Sequence, residues 1–335
     1  MKPILLLLLL LNFCSANSQS NNSNDTLPRN IRFSPTQFYN EYDANAAPAL
    51  RIRPGDTVIT ESLDARGFDK DSVRRGNRGN PLTGPFYVEG AAAGDVLAIT
   101  ITAISLNRNF ATTLNAFIPK ILPQPTAKQL WRKAKSARWN LDLVNNTASP
   151  AGDYEHLSSL KVPVHPFLGS VGVAPPGKSM SSGGFGVWGG NLDFAGITAL
   201  STLYLPVYHD GSLLYLGDGH ALQGDGELNG DALETSMNFS FTVRVIKNEA
   251  DKLIYTRVED PNYIMAFGQA KKLDNALKAA TQNLLGWVQQ DYQLSIEEAS
   301  QLIGAGVEYR IPKIAADVVE VVAMLHKKLV KQLKK

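Results

Sequence analysis

The residues most able to do chemistry lie close together in one stretch, Gly217-Asp218-Gly219-His220-Ala221-Leu222-Gln223-Gly224-Asp225-Gly226-Glu227. Imidazole is the commonest protein metal ligand, and nearby carboxylates complete a hard or borderline coordination shell. The interleaved glycines tolerate positive φ and close backbone approach, so these side chains can converge from a tight loop between strands. On its own the segment reads equally well as two Asp-Gly hairpin turns carrying a surface histidine. Its ligand order is not that of an EF-hand. Three further patches share its character: Gly189-Gly190-Asn191-Leu192-Asp193, the run Asn80 to Gly90 with Glu89 ending an apolar strand, and Thr60-Glu61-Ser62-Leu63-Asp64. An acid at a strand end is usually just solvated, but several acids gathered in one fold need a cation or hydrogen bonds. No G-x-G-x-x-G opens a helix and no G-K-[ST] occurs, which sets aside dinucleotide and P-loop sites.

The elements that must position these residues read mainly as strands. Met237, Phe239, Phe241, Val243 and Val245 alternate with polar residues, as do the runs Thr57 to Leu63 and Val96 to Ile101. Turn signals at Pro54-Gly55-Asp56, Ala93-Gly94-Asp95 and Asp210-Gly211 divide them. The pattern predicts a β-rich core over 31–268, an antiparallel sandwich or barrel. Within it 107–165 reads as a long irregular loop, with a short helix around Lys128 to Lys135 and the role of a lid or interface arm. The fold class is mainly β with an α+β C-terminal portion. That portion, 269–335, reads as helical and packed on the core. Asp274 is the expected cap of one helix, and Ser295 to Glu298 has capping-box spacing for a second that Gly304 and Gly306 end. The β-branched density of Asp317 to Leu325 favours a strand that frays into a lysine-rich helical tail.

The N-terminus predicts export. A basic start and the apolar run Ile4 to Leu11 precede Ala16-Asn17-Ser18, so 1–18 reads as a signal peptide cleaved after Ser18. The run is too short to span a bilayer, so no stable membrane anchor is expected after cleavage, in a periplasmic or secreted location. Cleavage also removes Cys14, the one cysteine, which excludes a cysteine nucleophile, zinc–thiolate sites and disulfides. Residues 19–30 read as a disordered polar leader. The formal net charge is +2, and the lysines from 327 onward form a solvated terminal face without aromatic interleaving, which excludes nucleic acid as a partner.

Four blocks are specific: NPLTGPFYVEGAAAGDVLAITI, HPFLGSVGVAPPG, GGNLD and STLYLPVYHDGSLLYLGDGHALQGDGELNGDALE. In order and spacing they resemble the acetamidase/formamidase family, from about Ala47 to Phe267. The resemblance implies a β-rich barrel or sandwich, assembly as a homo-oligomer, and hydrolysis of acetamide- or formamide-like amides to ammonia and a carboxylate. The family phrase EGAEPGD stands here as Glu89-Gly90-Ala91-Ala92-Ala93-Gly94-Asp95, a changed turn that keeps Glu89. The segment 107–164 departs further, and the signal peptide is a departure from cytoplasmic members.

Amide hydrolysis needs an activated nucleophile, a stabiliser for the oxyanion and a proton donor for nitrogen. The five histidines meet no G-x-S-x-G elbow, and Ser179 to Gly183 reads as a flexible loop rather than a Ser-Ser-Lys set. Water bound to a divalent metal, zinc before calcium, fits the acid-rich loops better. The expected ligands are Asp64, Asp193 and His220. Glu89 or Glu234 would be the general base, and Asn191 and Gln223 would orient a small amide substrate. Two rivals share these residues: an inactive member serving as a cation-dependent ligand- or carbohydrate-binding sandwich, and a hydrolase of a different amide or ester.

Overall fold

The computed structural model describes residues 27–333. The expected signal peptide, 1–18, and most of the expected leader, 19–30, fall outside the described residues. By Asn30 the chain is already paired, parallel, with Thr57.

The alternating runs become two sheets packed face to face. One has nine strands, in the order Asn30–Arg32, Thr57–Ser62, Met237–Ile246, Val96–Leu106, Thr202–Pro206, Arg257–Glu259, Tyr263–Ala270, Val319–His326, Val307–Arg310. The other has six: Phe185–Gly186, Gly189–Asn191, Phe167–Val173, Leu214–His220, Leu82–Val88, Leu50–Ile52. Phe239, Phe241, Leu97, Ile99 and Leu203 from the first meet Phe86, Leu168, Val171, Leu214 and Leu216 from the second in one buried core. Both sheets are open at their edges, so the fold is a sandwich and no barrel closes.

The strand Tyr263–Ala270 shows how period two builds a third layer. Met265 and Phe267 face the inter-sheet core, while Ile264 and Ala266 face the helix Leu273–Tyr292. A Cβ on Gly268 would lie 2.0 Å from the backbone nitrogen of Ala280, so helix and strand pack here at backbone distance.

The C-terminal portion is less helical than expected. After the second helix, Ile296–Gly306, the chain returns to the nine-stranded sheet as Val307–Arg310 and Val319–His326. The β-branched run at 319–322 does form the strand, and a short helix, Lys327–Val330, follows it. The capping box forms as the spacing predicts, Ser295 accepting from the Glu298 backbone and Glu298 accepting from the Ser295 backbone. Asp274 does not cap its helix. It lies in the first turn behind Lys272, where a carboxylate still meets the positive end of the helix dipole.

The segment 107–165 is also a correction. It is no irregular loop but a four-stranded antiparallel sheet, Phe110–Leu114, Ser136–Asp142, Thr147–Pro150 and Val162–Pro163, with the helix Thr126–Arg132 between the first two. Its strands are mostly half-exposed, so the apolar alternation that betrays a buried strand is weak in SARWNLD and TASP. A small core of Ala111, Leu141, Ala148, Ala221 and Leu233 fastens this sheet beside the end of Leu214–His220.

Candidate metal centre and active site

Asp218 and His220 stand two apart on the strand Leu214–His220, so both project to the same face of the six-stranded sheet. This stretch is not the loop expected from its glycines. Gly217 and Gly219 are strand residues whose missing side chains let other backbone approach: added Cβ atoms would lie 2.9 Å from the Pro81 carbonyl and 2.5 Å from that of Thr235. The neighbouring strand Phe167–Val173 sets Ser170 between Gly217 on one side and Asn191 on the other. Asp193 follows two residues past Asn191, and Glu234 bridges directly to His220.

Three carboxylates converge on one nitrogen. His220 Nε2 is 3.4 Å from Asp218 Oδ1, 3.4 Å from Glu234 Oε2 and 3.9 Å from Asp193 Oδ1. None of those three oxygens has a hydrogen-bond partner, although all are buried. The far oxygens are held: Asp218 Oδ2 accepts from Asn80 at 2.8 Å, Asp193 Oδ2 accepts from Asn191 at 2.8 Å and from Lys313, and Glu234 Oε1 accepts from the Ala232 backbone at 3.0 Å. Asn191 Oδ1 accepts from Ser170 and Asn80, which fixes its amide so that the nitrogen faces Asp193. Phe167 packs edge-on against the His220 ring at 4.8 Å.

Backbone strain accompanies this convergence. Asn80, Asp193, Asp218 and Glu227 all adopt positive φ, between 46° and 60°. The left-handed region costs an L-residue about 1–2 kcal/mol, least for Asn and Asp, and such outliers persist where the surroundings over-determine them.

Charge makes the same point. Asp193, Asp218, Glu227 and Glu234 are buried against a single lysine, Lys313, whose Nζ contacts Asp193 and lies 3.5 Å from Glu227. Burial pushes Glu227 and Glu234 up to about 7 and Asp193 up to about 6. Burial opposes a charged His220, but the carboxylates of Glu234 and Asp218 outweigh it and carry the imidazole well above its usual range. For Asp218 burial is likewise outweighed, mainly by His220, and its value falls below the ordinary one. Lys313 is raised, since Asp193 and Glu227 outweigh its burial. So many buried acids around so few cations call for a bound cation or for protons.

The donor set fits a divalent cation. One ligand atom each from Asp193, Asp218 and His220 lie within 4.8 Å of one another. Tetrahedral N/O ligands about 2.0–2.2 Å from zinc are separated by roughly 3.3–3.6 Å, close to the spacings here. The floor of the group is Gly169, where a Cβ would come within 2.7 Å of His220 Cε1 and 2.8 Å of both Asp193 Oδ1 and Asp218 Oδ2. Only a residue without a side chain leaves that space open.

Asp218 and Glu234 of this group line a cavity of ≈ 460 Å³, together with Asn80, Glu227, Lys313, Ile118 and Trp131. A second cavity, of ≈ 410 Å³ beside Arg257 and Trp287, is lined by the Lys252–Glu249 ion pair.

Of the residues singled out in sequence, the structure brings Asp193, His220 and Glu234 together. Asn191 is present with both ends of its amide engaged, as a holder of carboxylates. Gln223 donates to the backbone carbonyls of Asp193 and Pro312, and so ties the loop of Lys313 to the group. Asp64 is not in the group. It is buried in an ion pair with Arg108 at 2.7 Å and accepts from the backbone of Arg66 and Phe68, which engages both oxygens. Arg108 in turn reaches the Glu234 carbonyl and the Thr235 hydroxyl, so the pair buttresses the strand end behind the site. Glu89 is exposed on a turn facing Arg51, apart from the group. Sequence reasoning left Asp218 without a role and did not single out Glu227 as a site residue. It missed Lys313, Asn80, Ser170 and Gly169. Alternation with His220 was a usable signal for Asp218, whereas IPKIAAD around Lys313 carries none.

The two-sheet sandwich is a fold with solved relatives. The sequence profile of the acetamidase/formamidase family matches residues 27–182 and 187–312, and the chain belongs to that family. Three structures share its fold at a TM-score of 0.76. An acetamidase from Bacillus halodurans is 28% identical, with 91% of this chain and 100% of that one covered. An acetamidase from Yersinia enterocolitica is 27% identical, with 91% and 94% covered. A predicted acetamidase/formamidase from Thermoanaerobacter tengcongensis is 25% identical, with 92% and 99% covered. No curated protein matches.

Proposed function

We propose that this protein is an exported, metal-assisted hydrolase of linear amides, yielding ammonia and a carboxylate. The observation that carries the reading is the convergence of the unpartnered oxygens of Asp193, Asp218 and Glu234 on His220 Nε2, beside a ligand-sized cavity that Asp218 and Glu234 line. Asp193, Asp218 and His220 would hold the cation. Bound there, a divalent ion, zinc before calcium, polarises a carbonyl and acidifies a water.

The remaining work falls to side chains. Glu234 faces the cavity with one oxygen free, and a value near 7 suits both halves of a proton transfer. It takes the proton of the water as oxygen adds to the carbonyl carbon, then returns it to nitrogen as the C–N bond breaks and ammonia leaves. Lys313 presents a fixed positive charge to the same cavity, and Asn80 lines it while holding Asp218. Glu227, also raised to about 7, is a second acid within reach of the leaving group.

Export rests on Met1 to Ser18, and intact mass of protein from the native host tests it: retention of Met1 or a lipid on Cys14 would reject it. Exposed Phe117, Leu130, Leu143 and Val144, in the loop, helix and turn between the strands of the 107–165 segment, support assembly with further copies. Ammonia release from a panel of short amides, before and after chelation and after return of zinc or calcium, tests the chemistry. Full turnover by metal-free protein would defeat the metal-assisted reading.

A further inference from the structure

The cavity beside the carboxylate–histidine group is larger than the smallest amides require. Acetamide displaces about 100 Å³, three waters' share of liquid at ~30 Å³ each. The cavity holds ≈ 460 Å³. Ile118, Pro119, Trp131, Ala315 and Ala316 line it together with polar residues that include Glu234 and Lys313. Its tryptophan is fixed in place. Trp131 and Ile118 close over Gly230, where a Cβ would lie 2.8 Å from Trp131 Cη2 and 3.2 Å from Ile118 Cγ2. Lys120 ties the segment that carries Ile118 and Trp131 to the loop of Ile314 and Ala316 by donating to their carbonyls. Ile118 and Trp131 belong to the segment 107–165.

We propose that Trp131 is a specificity-determining residue, and that the substrates are amides with an extended apolar or single-ring acyl group, of the hexanamide or phenylacetamide kind. The inference rests on the hydrolase reading above. With the amide against Glu234 and Lys313, the acyl chain can lie on Trp131 and Ile118, which meet over Gly230. Each methylene buried there should raise kcat/KM by up to about fourfold, because the gain scales with the apolar area removed from water.

The test is kcat/KM for formamide, acetamide, butyramide, hexanamide and phenylacetamide, with calorimetric binding of acetate, hexanoate and phenylacetate alongside. We expect hexanamide or phenylacetamide to exceed acetamide by roughly tenfold or more. Trp131→Ala should lower the ratio of hexanamide to acetamide by about tenfold. Ala316→Leu, which fills the cavity and keeps the wall, should lower the same ratio, so the result does not depend on the tryptophan variant folding. A best rate on formamide or acetamide, or an equal loss on all amides in both variants, would overturn the proposal. If the wild type hydrolyses no amide, the hydrolase reading fails. The pocket assignment then stands if hexanoate binds more tightly than acetate and loses that advantage in either variant, and falls if the two acids bind alike.

Discussion

Gly169→Ala would alter no ligand and should still disable the site. Gly169 is not in the left-handed region, so its backbone accepts alanine, and the whole effect comes from one methyl group. That methyl would meet His220 Cε1 at 2.7 Å and Asp193 Oδ1 and Asp218 Oδ2 at 2.8 Å, short of the 3.4 Å at which ordinary contact begins. Three side chains must each retreat by roughly 0.6–0.7 Å, and none is free to do so. Phe167 backs His220, Asn191 and Lys313 hold Asp193, and Asn80 holds Asp218. Overpacking of this kind costs about 1–3 kcal/mol of stability, and displacement of reacting groups by about 1 Å costs on the order of 100-fold in rate. The expected result is a folded protein with a lowered melting temperature, reduced metal content by elemental analysis, and ammonia release down by about two orders of magnitude. Gly224→Ala is the control, since nothing lies within 4 Å of its added Cβ. Wild-type metal content and turnover in Gly169→Ala would refute both the cradle and the ligand set around it.

His220→Ala should lower metal content and turnover together, by several orders of magnitude in rate with the fold kept; a packing histidine would instead lose about 1–3 kcal/mol of stability at near-normal turnover per folded molecule. Asp64→Asn should behave in the opposite way, losing about 3–5 kcal/mol in denaturant unfolding because Arg108 is left buried and unpaired, with metal content per folded molecule unchanged; loss of metal would return Asp64 to the ligand set. The metal-free protein should lose stability as pH rises. Glu227 and Glu234 at about 7 and Asp193 at about 6 bind protons more tightly folded than unfolded, so their contribution is full below the ordinary carboxyl range and lost as pH passes through 6 to 7. The stability of chelated protein, read from melting scans between about pH 5 and 7.5, should fall by on the order of 5 kcal/mol, and added zinc should abolish the fall; a rising curve would contradict the buried-acid reading.

What the sequence makes legible here depends on how many faces of an element are buried. Met237–Ile246 keeps one half-exposed face, and its alternation reads directly as a strand. Leu214–His220 is buried on both faces, so LYLGDGH has no alternation to read and its glycines look like turns. The 107–165 sheet fails for the opposite reason, its strands being too exposed for apolar residues to mark a face. The site follows the same logic. Asp193, His220 and Glu234 stand in dense polar motifs and could be found. Asp64 stands in an equally suggestive one, and only the position of Arg108, 44 residues away, shows that its carboxylate is already engaged.

Lys313 carries the argument furthest from the sequence. It lies 120 residues from Asp193 in an otherwise apolar stretch, and the chain returns it to the site only because Val319–His326 rejoins the large sheet. Its loop is fixed at both ends of the site. Pro312 accepts from Gln223, which also holds the Asp193 backbone, and Ile314 and Ala316 accept from Lys120 of the substrate wall. One short loop thus joins the carboxylate that would bind the cation to the wall that would read the acyl group. Changes in the 107–165 wall therefore bear on substrate size through direct contact and on the charge of the site through Lys313. A change in that wall that spared the carboxylate–histidine group would alter the size of amide accepted and leave the proposed chemistry in place.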